Sequence, residues 1–95
     1  MKLRYTLRAA QELDQILSYI DERSPRGAQQ VRARIKTIVD LIALHPHAGQ
    51  LTNARGLRRV VVHPFPYLIF YAASDDEVVI HGVRHAVRRP ASKPE

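Results

Sequence analysis

His63-Pro64-Phe65-Pro66-Tyr67-Leu68-Ile69-Phe70-Tyr71-Ala72-Ala73-Ser74-Asp75-Asp76-Glu77-Val78-Val79-Ile80-His81-Gly82-Val83-Arg84-His85 is the stretch that decides the fold. It holds two apolar runs, Tyr67 to Ala72 and Val78 to Val83, rich in aromatic and β-branched residues. Such side chains fit a pleated, packed surface better than a helix. The polar segment Ala73-Ser74-Asp75-Asp76-Glu77 between them has turn chemistry, so the pair reads as an antiparallel hairpin. Both runs are apolar at alternate and intervening positions, which predicts a central hairpin covered on both faces. It ends in Arg84-His85, followed by Arg88-Arg89. Cations at the end of a central strand are the first candidates for function.

Working back towards the N-terminus, His63-Pro64-Phe65-Pro66 is a connection, because proline lacks the donor that a central ladder needs. Leu57 to Val62 precedes it as a strand, with Arg58 and Arg59 at its start. Adjacent strand residues point to opposite faces, so at most one of these two arginines faces any given site. Pro46 to Gly56 is predicted to be a loop, marked by Gly49, Asn53 and Gly56.

Two helices come before the loop. From Leu7 to about Arg23, the residues Ala10, Leu13, Ile16, Leu17 and Ile20 repeat as one helical face, with Glu12 and the other polar residues mostly opposite. Thr6 is the predicted cap. Ser24-Pro25 stops this helix and starts another, serine as cap and proline at the first helical position. Ala28, Val31, Ile35, Ile38, Leu41 and Ile42 then mark the inner face of a helix from Pro25 to Leu44, with Arg26, Arg32, Arg34 and Lys36 outward. Pro46 ends it by disfavouring helical geometry at His45. Lys2 to Tyr5 alternates as a short first strand. The order is β-α-α-β-β-β. It makes an α+β domain, a helical hairpin packed on a mainly antiparallel sheet of about four strands. Residues 1–89 read as one domain, with 90–95 as a flexible C-terminal tail.

Composition narrows the function classes. The chain has 95 residues and no cysteine, which excludes disulfides and thiolate metal sites. No apolar run is long enough to span a membrane, and Met-Lys-Leu-Arg-Tyr-Thr lacks the apolar core of a signal peptide, so a cytoplasmic location is expected. The net charge of +6 suits an acidic or polyanionic partner. His45, His47, His63, His81 and His85 lack the spacing of a metal site, and no cofactor is expected. A lone histidine in an apolar strand is more often a core residue than a reactive one, and His81 is read that way.

The ordered set resembles the ParE/RelE superfamily of toxins from type II toxin–antitoxin systems. The residues that carry the resemblance are Ala10…Leu13-Asp14…Ile16…Tyr19-Ile20, His45-Pro46…Gly49, Arg58, Pro66-Tyr67-Leu68-Ile69-Phe70-Tyr71 and Val78-Val79-Ile80…Val83-Arg84-His85…Arg88. The resemblance implies a RelE/ParE-like fold and a cognate antitoxin with an acidic C-terminal segment, whose charge would speed association. It also implies one of two activities. RelE-like members cut messenger RNA on the ribosome, whereas ParE-like members inhibit DNA gyrase without being nucleases. RNA cleavage by 2′-hydroxyl attack needs a base, an acid and cations at the phosphate. Arg59, Arg84 and His85 are the set that serves such an endoribonuclease. RelE-like members usually carry arginine just before the apolar strand. Here that place holds Pro66-Tyr67, as in ParE members. The expected activity is therefore gyrase inhibition, with Arg58, Arg59, Arg84, His85, Arg88 and Arg89 as target-binding candidates and no firm catalytic residue. The alternatives are the ribosome-dependent nuclease and a non-toxic partner-binding module.

Overall fold

A computed structural model describes residues 1–86. Its elements run β1 (Lys2–Tyr5), α1 (Leu7–Arg23), α2 (Pro25–Leu44), β2 (Gln50–Leu51), β3 (Arg58–Val61), β4 (Tyr67–Ala73) and β5 (Glu77–His85). Arg88, Arg89 and the tail 90–95 lie outside the described residues.

The helices begin where side-chain acceptors meet free backbone donors. Thr6 Oγ1 accepts the Ala9 N–H at 3.0 Å and caps α1. Ser24 serves both helices. Its N–H donates to the Ile20 carbonyl at 2.7 Å, and its hydroxyl accepts the Gly27 N–H at 2.9 Å. With Pro25 at the first position of α2, one residue suffices for the reversal.

The sheet order is β1-β5-β4-β3-β2. All neighbours are antiparallel except β1 and β5, which run parallel with Tyr5 opposite Ile80. The central hairpin is the β4–β5 pair, as its composition predicts. Three details of the sheet differ from expectation. The segment read as a loop contains the two-residue strand β2, which pairs Gln50 with Arg59 and Leu51 with Arg58 and makes five strands among the described residues instead of about four. The helices cover only one face of the sheet. On the other, Leu68 and Phe70 are half-buried, so the two-sided cover expected for the hairpin is absent from the described residues. Finally, His81 is exposed and not a core residue. Phe70 pairs with Gly82 and Tyr71 with Ile80, so His81 is the extra residue of a β-bulge and turns outward.

The core lies between the helices and the sheet. Leu17, Val31, Ile35, Ile38, Val39 and Ile42 pack against Val62, Ile69, Tyr71, Val78, Ile80 and Val83. Each such side chain contributes roughly 1.5–3 kcal/mol by leaving water. Within α1 the phase is turned slightly from the predicted face. Ala9 is fully buried and Ala10 exposed, while Leu41 of α2 is 48% exposed despite falling on its apolar stripe.

Tyr71 fixes the path after α2. Its ring is fully buried, its hydroxyl donates to the Pro46 carbonyl at 2.9 Å, and it accepts the Gly49 N–H at 2.8 Å. The approach requires glycine, because a Cβ at position 49 would stand 2.6 Å from the hydroxyl oxygen and 2.9 Å from the Arg59 carbonyl. This lock carries the chain into β2. Gly56 then makes the next reversal at φ 73°, a conformation that other residues rarely adopt.

Candidate functional site

The two arginines of β3 separate as strand geometry demands. Arg58 is opposite Tyr71 and turns to the helix side, where Nη1 donates to the carbonyls of Gly49 at 2.8 Å and His47 at 3.4 Å. Its charge secures the loop before β2. Arg59 is opposite Phe70 and turns to the other side, with Nη2 3.5 Å from Gln50 Oε1.

Arg59, Arg84 and His85 come together around one cleft of about 720 Å³. The ends of β4 and β5 form one side, with Tyr67, Leu68 and Phe70 supplying apolar and aromatic surface. The other side is α1, through Glu12, Gln15, Ile16 and Tyr19. Arg84 is opposite Leu68. Its guanidinium carbon lies 5.4 Å from the Phe70 ring centre, close enough for a cation–π contact. The His85 ring meets the Tyr67 ring edge to face, with centroids 5.3 Å apart and planes at 83°. At the far end of the α1 wall, the Arg23 guanidinium lies 3.8 Å over the Tyr19 ring. Thus three of the six predicted residues share a site and Arg58 turns away from it.

The cleft carries one feature that helix periodicity hides. Glu12 belongs to the polar side of α1 by spacing, yet it is half-buried and reaches the strand end. Oε1 accepts the Val83 N–H at 3.0 Å, and Oε2 lies 3.4 Å from Arg8 Nε and 3.8 Å from Arg84 Nε. The mixture of two arginines, a histidine, aromatic rings and one carboxylate suits contact with an anionic or mixed-charge protein surface. It also supplies cations and an imidazole for phosphate chemistry.

Burial raises the Tyr5 phenol above its ordinary value, with a smaller contribution from Asp40. The hydrogen bonds to Glu77, at 3.2 and 3.5 Å, raise the Arg4 guanidinium. Among the described residues no three His, Asp or Glu side chains gather to hold a metal ion, and no helix is long and apolar enough to cross a membrane.

Known proteins resemble this chain in sequence and in fold. Toxin RelE2 of Caulobacter vibrioides is 43% identical over 84 residues, covering 88% of this chain and 93% of the relative. The Y4kP protein of Sinorhizobium fredii is 41% identical over 85 residues, covering 90% and 88%. The fold matches a solved chain of the chromosomal ParDE toxin–antitoxin system from P. aeruginosa with a TM-score of 0.77. That match covers 90% of this chain and 95% of the other at 22% identity. The family model for the ParE toxin of type II toxin–antitoxin systems matches residues 3–90. The chain belongs to the ParE toxin family of type II toxin–antitoxin systems, and that membership implies an antitoxin partner.

Proposed function

We propose that the protein inhibits DNA gyrase by stoichiometric binding, with Arg59, Arg84 and His85 as contact residues and no covalent step. The supporting observation is the chemistry of the cleft. Its cations line the cleft beside the half-buried Leu68 and Phe70 and the exposed Tyr19, and Glu12 already stands beside Arg84. Glu12 is already engaged by the Val83 N–H and by Arg8, which leaves it poorly placed to serve as a free general base for a 2′-hydroxyl. Pro66 before β4 supplies neither a cation nor a proton. On this reading the protein acts in the cytoplasm, and an acidic segment of the antitoxin offsets its positive charge. Arg88 and Arg89 belong to the same contact by continuity of sequence with Arg84-His85.

The convergence of Arg59, Arg84 and His85 supports a second reading, ribosome-dependent mRNA cleavage. One experiment separates the two. Purified protein is titrated into gyrase supercoiling of relaxed plasmid, with translation-dependent mRNA cleavage followed beside it. The expected result is loss of supercoiling with intact mRNA, weakened about tenfold or more by R59A or R84A, as for truncation of a central interface arginine. Cleaved mRNA with unaffected gyrase overturns the proposal and moves the three residues into catalytic roles.

A further inference from the structure

Strand β5 outlasts its neighbour. β1 follows it only to Tyr5 opposite Ile80, and the last rung is the Thr6 N–H donating to the Ile80 carbonyl at 3.0 Å. The chain then turns into α1, which runs beside the remainder of β5. A strand edge left in this way carries backbone donors that need acceptors. Val83 finds its acceptor in a side chain, since its N–H donates to Glu12 Oε1 at 3.0 Å.

Gly82 makes that reach possible. It is buried, and a Cβ there would stand 3.1 Å from Glu12 Oε1, 3.8 Å from Arg84 Nε and 4.0 Å from Arg84 Nη2. The missing side chain leaves room for a carboxylate and a guanidinium to lie against the strand together. The second carboxylate oxygen then faces two cations, Arg8 at 3.4 Å and Arg84 at 3.8 Å. The Arg84 side chain is 53% exposed and Glu12 only 22%, so the better-held carboxylate restrains the freer guanidinium.

We propose that Glu12 is a positioning residue of the cleft. One oxygen replaces the missing sheet neighbour at Val83, the other holds Arg84 at the cleft wall, and Gly82 supplies the space for both. The functional part of this inference rests on the reading of the Arg59–Arg84–His85 cleft as the gyrase contact.

Three variants of the full chain test it. E12Q keeps an acceptor for Val83 and loses the charge, E12A loses both, and G82A crowds the carboxylate. Amide exchange at Val83 is expected to quicken about tenfold in E12A, the loss of one net hydrogen bond, and to stay near wild type in E12Q. G82A is expected to fall between them. Gyrase inhibition is expected to weaken about two- to fivefold in E12Q, the range for an exposed ion pair, and further in E12A. Unchanged Val83 exchange in E12A overturns the proposal. So does E12Q inhibition equal to wild type beside impaired E12A, which would leave Glu12 a structural cap only. If the wild-type chain does not inhibit gyrase, the contact reading fails by itself. The Arg84 Nε–H resonance then decides for Glu12. A shift that loses its salt dependence in E12Q upholds the positioning role, and an unchanged resonance overturns it.

Discussion

Replacing Tyr71 by Phe removes one oxygen and, with it, two hydrogen bonds that tie the segment after α2 to the sheet. The ring stays, so core packing is preserved and the cost is polar. Gly49 is buried, and its N–H, now 2.8 Å from the hydroxyl, is left without an acceptor. A buried donor stranded in this way costs about 1–3 kcal/mol. The Pro46 carbonyl, 2.9 Å from the hydroxyl, is on a half-buried residue and recovers water, so its loss is about 0.5–1 kcal/mol. The expected total is about 1.5–4 kcal/mol, and a domain of this size then melts about 6–30 °C lower. Urea unfolding provides the test, with an unchanged slope showing that the unfolded state is the same. Gly49→Ala gives the second arm. The new Cβ would stand 2.6 Å from the Tyr71 hydroxyl, 2.7 Å from Tyr71 Cε1 and 2.9 Å from the Arg59 carbonyl. Phe at position 71 relieves only the first of these contacts. The double variant is therefore expected to lose less than the sum of the single losses, while remaining less stable than Y71F. A Y71F loss below about 0.5 kcal/mol at unchanged slope would refute the lock, because the loop would then satisfy its own donors.

Three further outcomes follow from the fold. Ser24→Ala is expected to cost about 1 kcal/mol in urea unfolding through loss of the α2 cap, and Ser24→Gly only a few tenths. Ile35→Ala, at 2% exposure, is expected to cost about 2–5 kcal/mol, while Leu41→Ala at 48% exposure changes stability by less than about 1 kcal/mol; equal losses would contradict the core described above. Tyr5 gives an alkaline signature. Its phenol is raised by burial, so the folded state holds its proton to higher pH than the unfolded one. The associated stability is complete below the ordinary value of 10.0 and is lost as pH rises through the folded value. Thermal melts across that window are expected to fall more steeply for wild type than for Y5F, and parallel curves would exclude the contribution.

What could be read from the residues alone follows the range of the interactions involved. The helix break at Ser24-Pro25 depends on neighbours in sequence, and so did the hairpin of apolar runs around Ser74-Asp75-Asp76. Both were legible. The opposite orientations of Arg58 and Arg59 followed from strand alternation. Strand β2 was not legible, because Gln50-Leu51 has no apolar period and is held by Tyr71 and Arg58 from elsewhere in the chain. His81 looked like a core residue because alternation was continued through the bulge that displaces it. Glu12 looked like solvent-facing charge because helix spacing says nothing about where β1 stops. The convergence of Arg59, Arg84 and His85 needed the register between β3, β4 and β5, which no local pattern supplies.

The parallel pairing of β1 with β5 also sets the order of assembly. Lys2 waits for Glu77, and Tyr5 for Ile80. A ribosome delivers β1 and both helices long before the strand they need. Until Glu77–His85 appears, the inner faces of α1 and α2 have no sheet floor containing β5, and Glu12 has no Val83 to cap. Closing so long a loop comes late because its entropy is spent before its contacts form. The cleft built from the last strand is therefore among the last features to mature. A nascent chain halted before Glu77 is expected to be sensitive to protease and harmless to the cell that is making it.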